Sequence, residues 1–393
     1  MSNMGWPYDQ EAKRLEIFSA IDSISGIVSK NIPYGEKEGH LHRDTSKAIH
    51  DAGLLGLKLP EVLGGAEANP FLQTEVISSL AQVDTSTAWC TMVCATNVGS
   101  CGAFLPKEGI EKVFIDRSHP VIAGVAMPFG EAVPTDGGYI VSGKWPYGSG
   151  IKASTWVTAG AKIKRQDNSS NTDDELRVLF KSSDVDVLDN WDVAGLKGSG
   201  SNDYSVDKVF VPLELTWNTN HEPLRGGPLY SIKRPAFVVF GHVGIAIGTA
   251  KTALREAKLF ANENSRKLPG QSLISNQSHF QMQLGDMELR LRSLEAVSRE
   301  MFNSIWETVK SGYFLSDLEQ SRIRALGSWV TKQSLDIVTF AFQSAGGSAL
   351  HSTNPLQRNF RDMYAAAQHF MVSPTHIESY GRASSESKIY RSC

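Results

Sequence analysis

Cysteine is scarce in this sequence, with four among 393 residues. Cys90, Cys94 and Cys101 fall on one apolar stretch at helical spacing, which suits reduced, buried thiols better than a disulfide framework, and Cys393 stands apart. Two neighbouring cysteines without further ligands do not make a zinc site, so no metal is expected. An excess of one charge is also missing. The formal net charge is −3, acids and bases are interspersed, and no basic stripe recommends nucleic acid or an anionic membrane. No uninterrupted apolar run of about 18 residues is present, which argues against a membrane span. The opening MSNMGWPYDQ turns polar at once and has no apolar signal core, so a cytoplasmic location is expected. Among catalytic motifs there is no P-loop, GxGxxG fingerprint, GxSxG elbow, HExxH or CxxC. A nicotinamide-binding Rossmann domain is therefore not expected.

What remains is an ordinary globular composition, 41% hydrophobic and 21% charged. Three textures follow one another. Residues 1–118 read as a helical domain. Ile17, Ile21, Ile24 and Val28 recur at a helical period. Asp44 is the expected cap of a short helix ending at Gly53, Pro70 opens another, and Asp84 caps the apolar segment that follows. Residues 119–225 carry short Val-, Ile-, Tyr- and Trp-rich runs between turn residues, the pattern of an antiparallel sheet or barrel. Residues 226–393 are helical again, with long apolar-striped segments at 235–262, 273–310, 315–345 and 355–370 that suit a four-helix bundle.

Several segments sharpen this α–β–α order into a resemblance. GGYIVSGKWPYGSG (137–150), WDVAGLKGSGSNDYSVDKVFVP (191–212), QSAGGSAL (343–350) and NPLQRNFRDMYAAAQH (354–369) resemble, in register, the flavin monooxygenase branch of the acyl-CoA dehydrogenase superfamily. The resemblance implies an α+β, acyl-CoA dehydrogenase-like fold: an N-terminal helical domain, a central antiparallel β-barrel and a C-terminal four-helix bundle. It also implies the oxygenase component of a two-component system. Such a component takes reduced FMN or FAD from a separate NAD(P)H:flavin reductase, uses O2 through a C4a-(hydro)peroxyflavin, and hydroxylates a small aromatic such as a phenol or indole. A homotetramer is implied too. An acyl-CoA dehydrogenase-like oxidoreductase, or an N- or S-oxygenase of the same branch, is the alternative.

A dehydrogenase needs a carboxylate base. Nine residues past Arg361, where most members carry Glu, stands Phe370, preceded by His369. The other known location is the first bundle helix, and no Asp or Glu lies between Glu222 and Glu256. The absence favours oxygenation.

The resemblance also distributes roles. His369 is the expected catalytic imidazole, able to exchange a proton near neutrality. Ser149 is expected against flavin N5, where a hydroxyl can accept and donate. Trp145 and Tyr147 flank it, and strand alternation would put 145, 147 and 149 on one face. Met127 and Phe129 resemble the loop along the isoalloxazine edge. Arg266 resembles an arginine that reaches a flavin phosphate, a task suited to its fork geometry. Gly346 and Gly347 would let backbone approach the cofactor. Trp89 and Asn97 are weaker substrate-pocket expectations. Relatives carry His where Asn97 stands, and Asn cannot exchange a proton at neutral pH. Arg361 and Asp362 read as a structural pair.

Overall fold

The computed structural model describes residues 5–115, 119–164, 174–218, 220–265 and 272–386. These residues divide into two compact units. One comprises 1–68, 89–193 and 197–230, and the other 69–88, 194–196 and 231–393.

The first unit opens with α1 (Gln10–Glu38), capped by the Asp9 side chain on the Ala12 N–H. Its inward stripe is the expected one, with Ile17, Ile21, Ile24 and Val28 buried. The short α2 (Arg43–Asp51) follows. Its cap is His42, whose ring accepts from the Asp44 N–H, so Asp44 belongs to the first turn and is not the cap. An imidazole nitrogen serves here as the acceptor that a carboxylate was expected to provide. From α4 (Thr85–Phe104) this unit takes the part from Trp89 onward, buried almost throughout. A short α5 (Lys107–Val113) precedes the strands.

The sheet corrects the antiparallel barrel. It has seven strands: β1 (Ile122–Thr135), β2 (Gly138–Gly148), β3 (Trp156–Ile163), β4 (Glu175–Lys181), β5 (Asp186–Val187), β6 (Asn202–Pro212) and β7 (Thr216–Trp217). Their order is β5-β6-β2-β1-β3-β4-β7. The other pairings are antiparallel, but β1 and β3 run parallel, so the sheet is mixed. The hairpin partner β2 takes one edge of β1, and the chain then crosses through Ile151–Ala153 to lay β3 on the other edge. Apolar alternation reveals which face a residue takes; it does not reveal which strand lies alongside. On the buried face Trp145 stacks on Tyr204, with ring centroids 5.4 Å apart. The Tyr204 hydroxyl donates to the Thr158 carbonyl and accepts from the Val125 N–H, and burial pushes its pKa up.

The second unit is helical. It contains α3 (Pro70–Val83), α6 (Val239–Glu263), α7 (Ser278–Lys310), α8 (Asp317–Ser344), α9 (Pro355–Ala366) and α10 (Thr375–Glu386). Pro70 occupies the first turn of α3 behind an Asn69 cap, and Asp84 caps α4 by accepting from the Thr87 N–H and hydroxyl, both as expected. The assembly goes beyond four helices, because α3 packs on α6 and α10 on α8. The approach of α3 to α6 is very close. A Cβ at Gly244 would lie 2.7 Å from the Thr74 carbonyl oxygen, and one at Gly248 would lie 2.4 Å from that of Ser78. Only glycine lets the two backbones meet this way. By length and composition the segment Ala236–Glu263 would pass for a membrane span, yet 89% of its apolar window is buried inside the protein. It is a core helix, hydrophobic all round because it is surrounded.

Candidate active site

Near the end of β2 strict alternation breaks down. Trp145 pairs with Tyr204 and Gly148 with Asn202, so two residues of β2 oppose one of β6. Tyr147 sits in this bulge with φ 67°. A bulge re-aims side chains, and here it undoes the expected shared face. Trp145 is fully buried, Tyr147 is 66% exposed, and Ser149 is buried again just beyond the strand. The Trp145 indole N–H donates to the Gly160 carbonyl at 2.7 Å, and its ring is occupied by Tyr204. Trp145 is therefore held in the sheet core. Tyr147 meets Trp191 edge to face at 6.4 Å. Met127 and Phe129 lie in a second break, where the β1–β3 register jumps between Val125 and Gly130, and both are exposed.

Ser149 lies within a chain of buried polar groups. The Trp89 indole N–H donates to its hydroxyl at 3.0 Å. That hydroxyl is 2.7 Å from the hydroxyl of Ser201, which is 2.7 Å from that of Ser199. A serine hydroxyl has one proton and two lone pairs. With Trp89 and Ser201 served, one bonding position on Ser149 is left. Asn97 is buried and tied to β1, its Nδ2 donating to the Gly124 carbonyl at 3.2 Å.

In the other unit, α9 ends at Ala366 and His369 caps a single 3-10 turn, Phe370–Val372, its Nδ1 accepting from the Met371 N–H at 3.3 Å. Burial lowers its pKa to about 4, so the ring is neutral at physiological pH. Near-neutral titration was the sequence expectation. The fold instead provides a neutral imidazole, suited to hydrogen-bonding and to accepting a proton from a strong acid. Its ring packs on that of His242 in α6, with centroids 4.5 Å apart and a 31° tilt.

Arg361 and Asp362 both grip residues 194–196. Asp362 accepts from the Leu196 N–H at 2.7 Å, and Arg361 donates to the Ala194 carbonyl and, at 3.0 Å, to Gln357. They are structural, as read from the sequence, and among the described residues they clamp a third segment. Gly346 and Gly347 begin a 3-10 turn after α8, in open space, with Gly346 at φ 55°. Arg266 lies outside the described residues. The first carboxylate along α6 is Glu256, in its last third, and none stands between Asp362 and His369. Among the described residues no group of three His, Cys, Asp or Glu could hold a metal ion.

Two residues escaped the sequence reading. His242 is buried in VFGHVGIAIG, where a lone histidine among apolar neighbours looks like core. Its one signal is the absence of any acid on that helix face. Ser201 lies in GLKGSGSND, which reads as a turn.

Residues 22–106 match the acyl-CoA dehydrogenase N-terminal domain and residues 240–374 the acyl-CoA dehydrogenase C-terminal domain. Over almost its whole length the chain is similar to the flavin-dependent monooxygenase oxygenase subunit HsaA of Mycobacterium tuberculosis, at 24% identity over 93% of this chain and 94% of the relative. It is similar to indole-3-acetate monooxygenase of Pseudomonas putida at 23% identity over 88% and 87%. In structure it resembles XiaF from Streptomyces sp., solved with FADH2 and glycerol, with TM-score 0.85, 24% identity and 94% of both chains covered.

Proposed function

The chain belongs to the acyl-CoA dehydrogenase superfamily, in its branch of flavin-dependent monooxygenases, and from that premise we propose that it is the oxygenase component of a two-component system. In this reading it takes reduced FMN or FAD from a separate NAD(P)H:flavin reductase and hydroxylates a small aromatic of the phenol or indole class. The observation that carries the reading is the neutral, half-buried imidazole of His369, together with the absence of a carboxylate from the early and middle turns of α6 and from the stretch after Asp362. Removal of an α-proton from a thioester needs a base these positions do not supply.

The residues present fit a reduced flavin. Ser149 retains one hydrogen-bonding position after serving Trp89 and Ser201, and with its own proton given to Ser201 that position is a lone pair able to accept from a ring N–H. Exposed Met127, Phe129 and Tyr147 offer apolar surface for a flat ring system. Bound reduced flavin supplies the activation of O2, while the protein positions, insulates and handles protons. Ser149 holds the N5 proton. His369, being neutral, accepts a hydrogen bond from the substrate hydroxyl and so orients it. Burial of Ser149 keeps water from competing for its hydroxyl. Relatives named as an oxygenase subunit and as an indole-3-acetate monooxygenase support the reductase partner and the aromatic class. Arg266 and the Gly346–Gly347 turn serve the cofactor phosphates in this scheme, and the enzyme works as a homotetramer. Buried free thiols at Cys90, Cys94 and Cys101 suit the reducing cytoplasm.

The test couples the purified protein to a generic NAD(P)H:flavin reductase and screens phenols and indoles for hydroxylated product. Product formation that needs both components supports the proposal. Desaturation of a coenzyme A thioester with no aromatic turnover defeats it.

A further inference from the structure

The first unit holds a cleft of about 620 Å³ that the oxygenase scheme does not use. One wall is a single face of α2. Arg43, Ser46, Lys47 and His50 line it at the i, i+3, i+4, i+7 spacing that places side chains on one side of a helix. Lys152, just after β2, lines it as well. The carboxylates nearby only partly offset these cations. Asp51 pairs with Lys47 and His50, and the 93% exposed Asp189 pairs with Lys152 at 3.2 Å. Among the described residues Arg43 makes no ion pair or hydrogen bond. The lining is otherwise apolar, including Leu41, Ile49, Leu55 and Val121, with the thiols of Cys90 and Cys94. The Ser46 hydroxyl is buried and has no hydrogen-bond partner, although buried hydroxyls are almost always satisfied.

We propose that this cleft binds a small organic monoanion, a carboxylate on an apolar or aromatic body, at a site separate from the one assigned to flavin and substrate. The volume falls in the range of small-molecule sites, about 300–1,000 Å³. An unengaged guanidinium selects a carboxylate by charge and fork geometry. The apolar lining explains why an inorganic anion is a poor occupant, since it would leave that surface uncovered. The Ser46 hydroxyl and that of Thr91, which also lines the cleft, can orient the ligand. The cleft adjoins the serine chain. Gly150 and Ser199 line it, the Gly150 N–H donates to the Ser199 carbonyl at 2.9 Å, and Ser199 leads through Ser201 to Ser149. A ligand here therefore presses on the segment that positions Ser149.

The experiment titrates phenylacetate into the full-length protein by calorimetry, without flavin, beside neutral phenylacetamide. Saturable binding is expected with Kd of about 1 mM or below. Arg43→Ala and Lys47→Ala should each weaken it by about tenfold, the worth of a charge-assisted hydrogen bond, and phenylacetamide should bind at least as weakly. Both side chains are exposed, so the variants should fold. His369→Ala should leave the Arg43-sensitive binding unchanged. Absence of binding, affinity in the Arg43 and Lys47 variants unchanged from that of the parent protein, or loss of binding in His369→Ala would each overturn the proposal. Hydroxylation measured in Arg43→Ala judges the oxygenase reading independently. Turnover there with no phenylacetate site in the parent protein would sink the cleft proposal alone.

Discussion

Replacing Ser149 with Ala removes the acceptor of the Trp89 N–H and the partner of the Ser201 hydroxyl, at 3.0 and 2.7 Å. Each hydrogen bond contributes a net 0.5–1.5 kcal/mol, so the variant should lose about 1–3 kcal/mol of stability. A loss that size could come from any buried polar deletion, so the informative quantity is coupling. Trp89→Phe removes the donor and keeps an aromatic of similar outline. If the contact is as seen, urea denaturation of the two single variants and the double variant should give a coupling energy of at least about 0.5 kcal/mol, because the second deletion has less left to break. The functional readout follows the other side of the hydroxyl. Ser149→Ala should bind reduced flavin roughly 2- to 12-fold more weakly, the equivalent of one hydrogen bond, whereas Trp89→Phe should bind it nearly as the parent does. Additive stabilities, or flavin affinity that falls equally in both variants, would refute the assignment of Ser149 as the contact.

His369→Ala should lower hydroxylation by about 10²–10⁴-fold while flavin binding survives, measured by steady-state product formation and flavin titration. His242→Phe keeps an aromatic ring against His369 and removes the nitrogens; turnover falling while the melting temperature holds would show that the pair does more than pack. His369 and His119 are both pushed to about 4 from an ordinary 6.5, chiefly by burial. Between those values the unfolded chain takes up protons that the fold refuses, so stability should drop as pH falls from about 6.5 toward 4. The slope is at most about 1.4 kcal/mol per pH unit per histidine. In urea titrations at pH 7 and pH 5, His369→Gln should flatten the drop, and an unaltered slope would count against its depressed pKa. Gly195→Ala would set a Cβ 2.0 Å from the Arg361 carbonyl oxygen and should cost about 1–3 kcal/mol in thermal unfolding.

The helices were readable because their signals are local. The α1 stripe, the Asn69–Pro70 start and the Asp84 cap are each fixed by residues within one turn. The sheet's strands were readable for the same reason, but their partners were not. The parallel β1–β3 pair depends on a crossover, and the breaks at 126–129 and 146–147 remove the alternation that sequence reasoning relies on. For that reason Tyr147 and Trp145 part company, and Trp145 ends in the core. Ser149 and His369 are site candidates through resemblance alone. What surrounds them was hidden: the serine chain comes from distant loops, and His242 approaches His369 from another helix. His369's low pKa is a property of packing, which no single position encodes. The α10 helix lacked a strong apolar stripe, its described residues including one buried side chain, His376.

The central claim is that reduced flavin held by this protein spends its electrons on oxygen for the substrate. A single-turnover reaction of the purified protein with chemically reduced flavin, an aromatic substrate and isotopically labelled O2, with no reductase present, tests it most directly. The account predicts product carrying one labelled oxygen atom per flavin oxidised, with hydrogen peroxide as the only competing fate. Flavin that oxidises without labelled product across the phenols and indoles tested would contradict it.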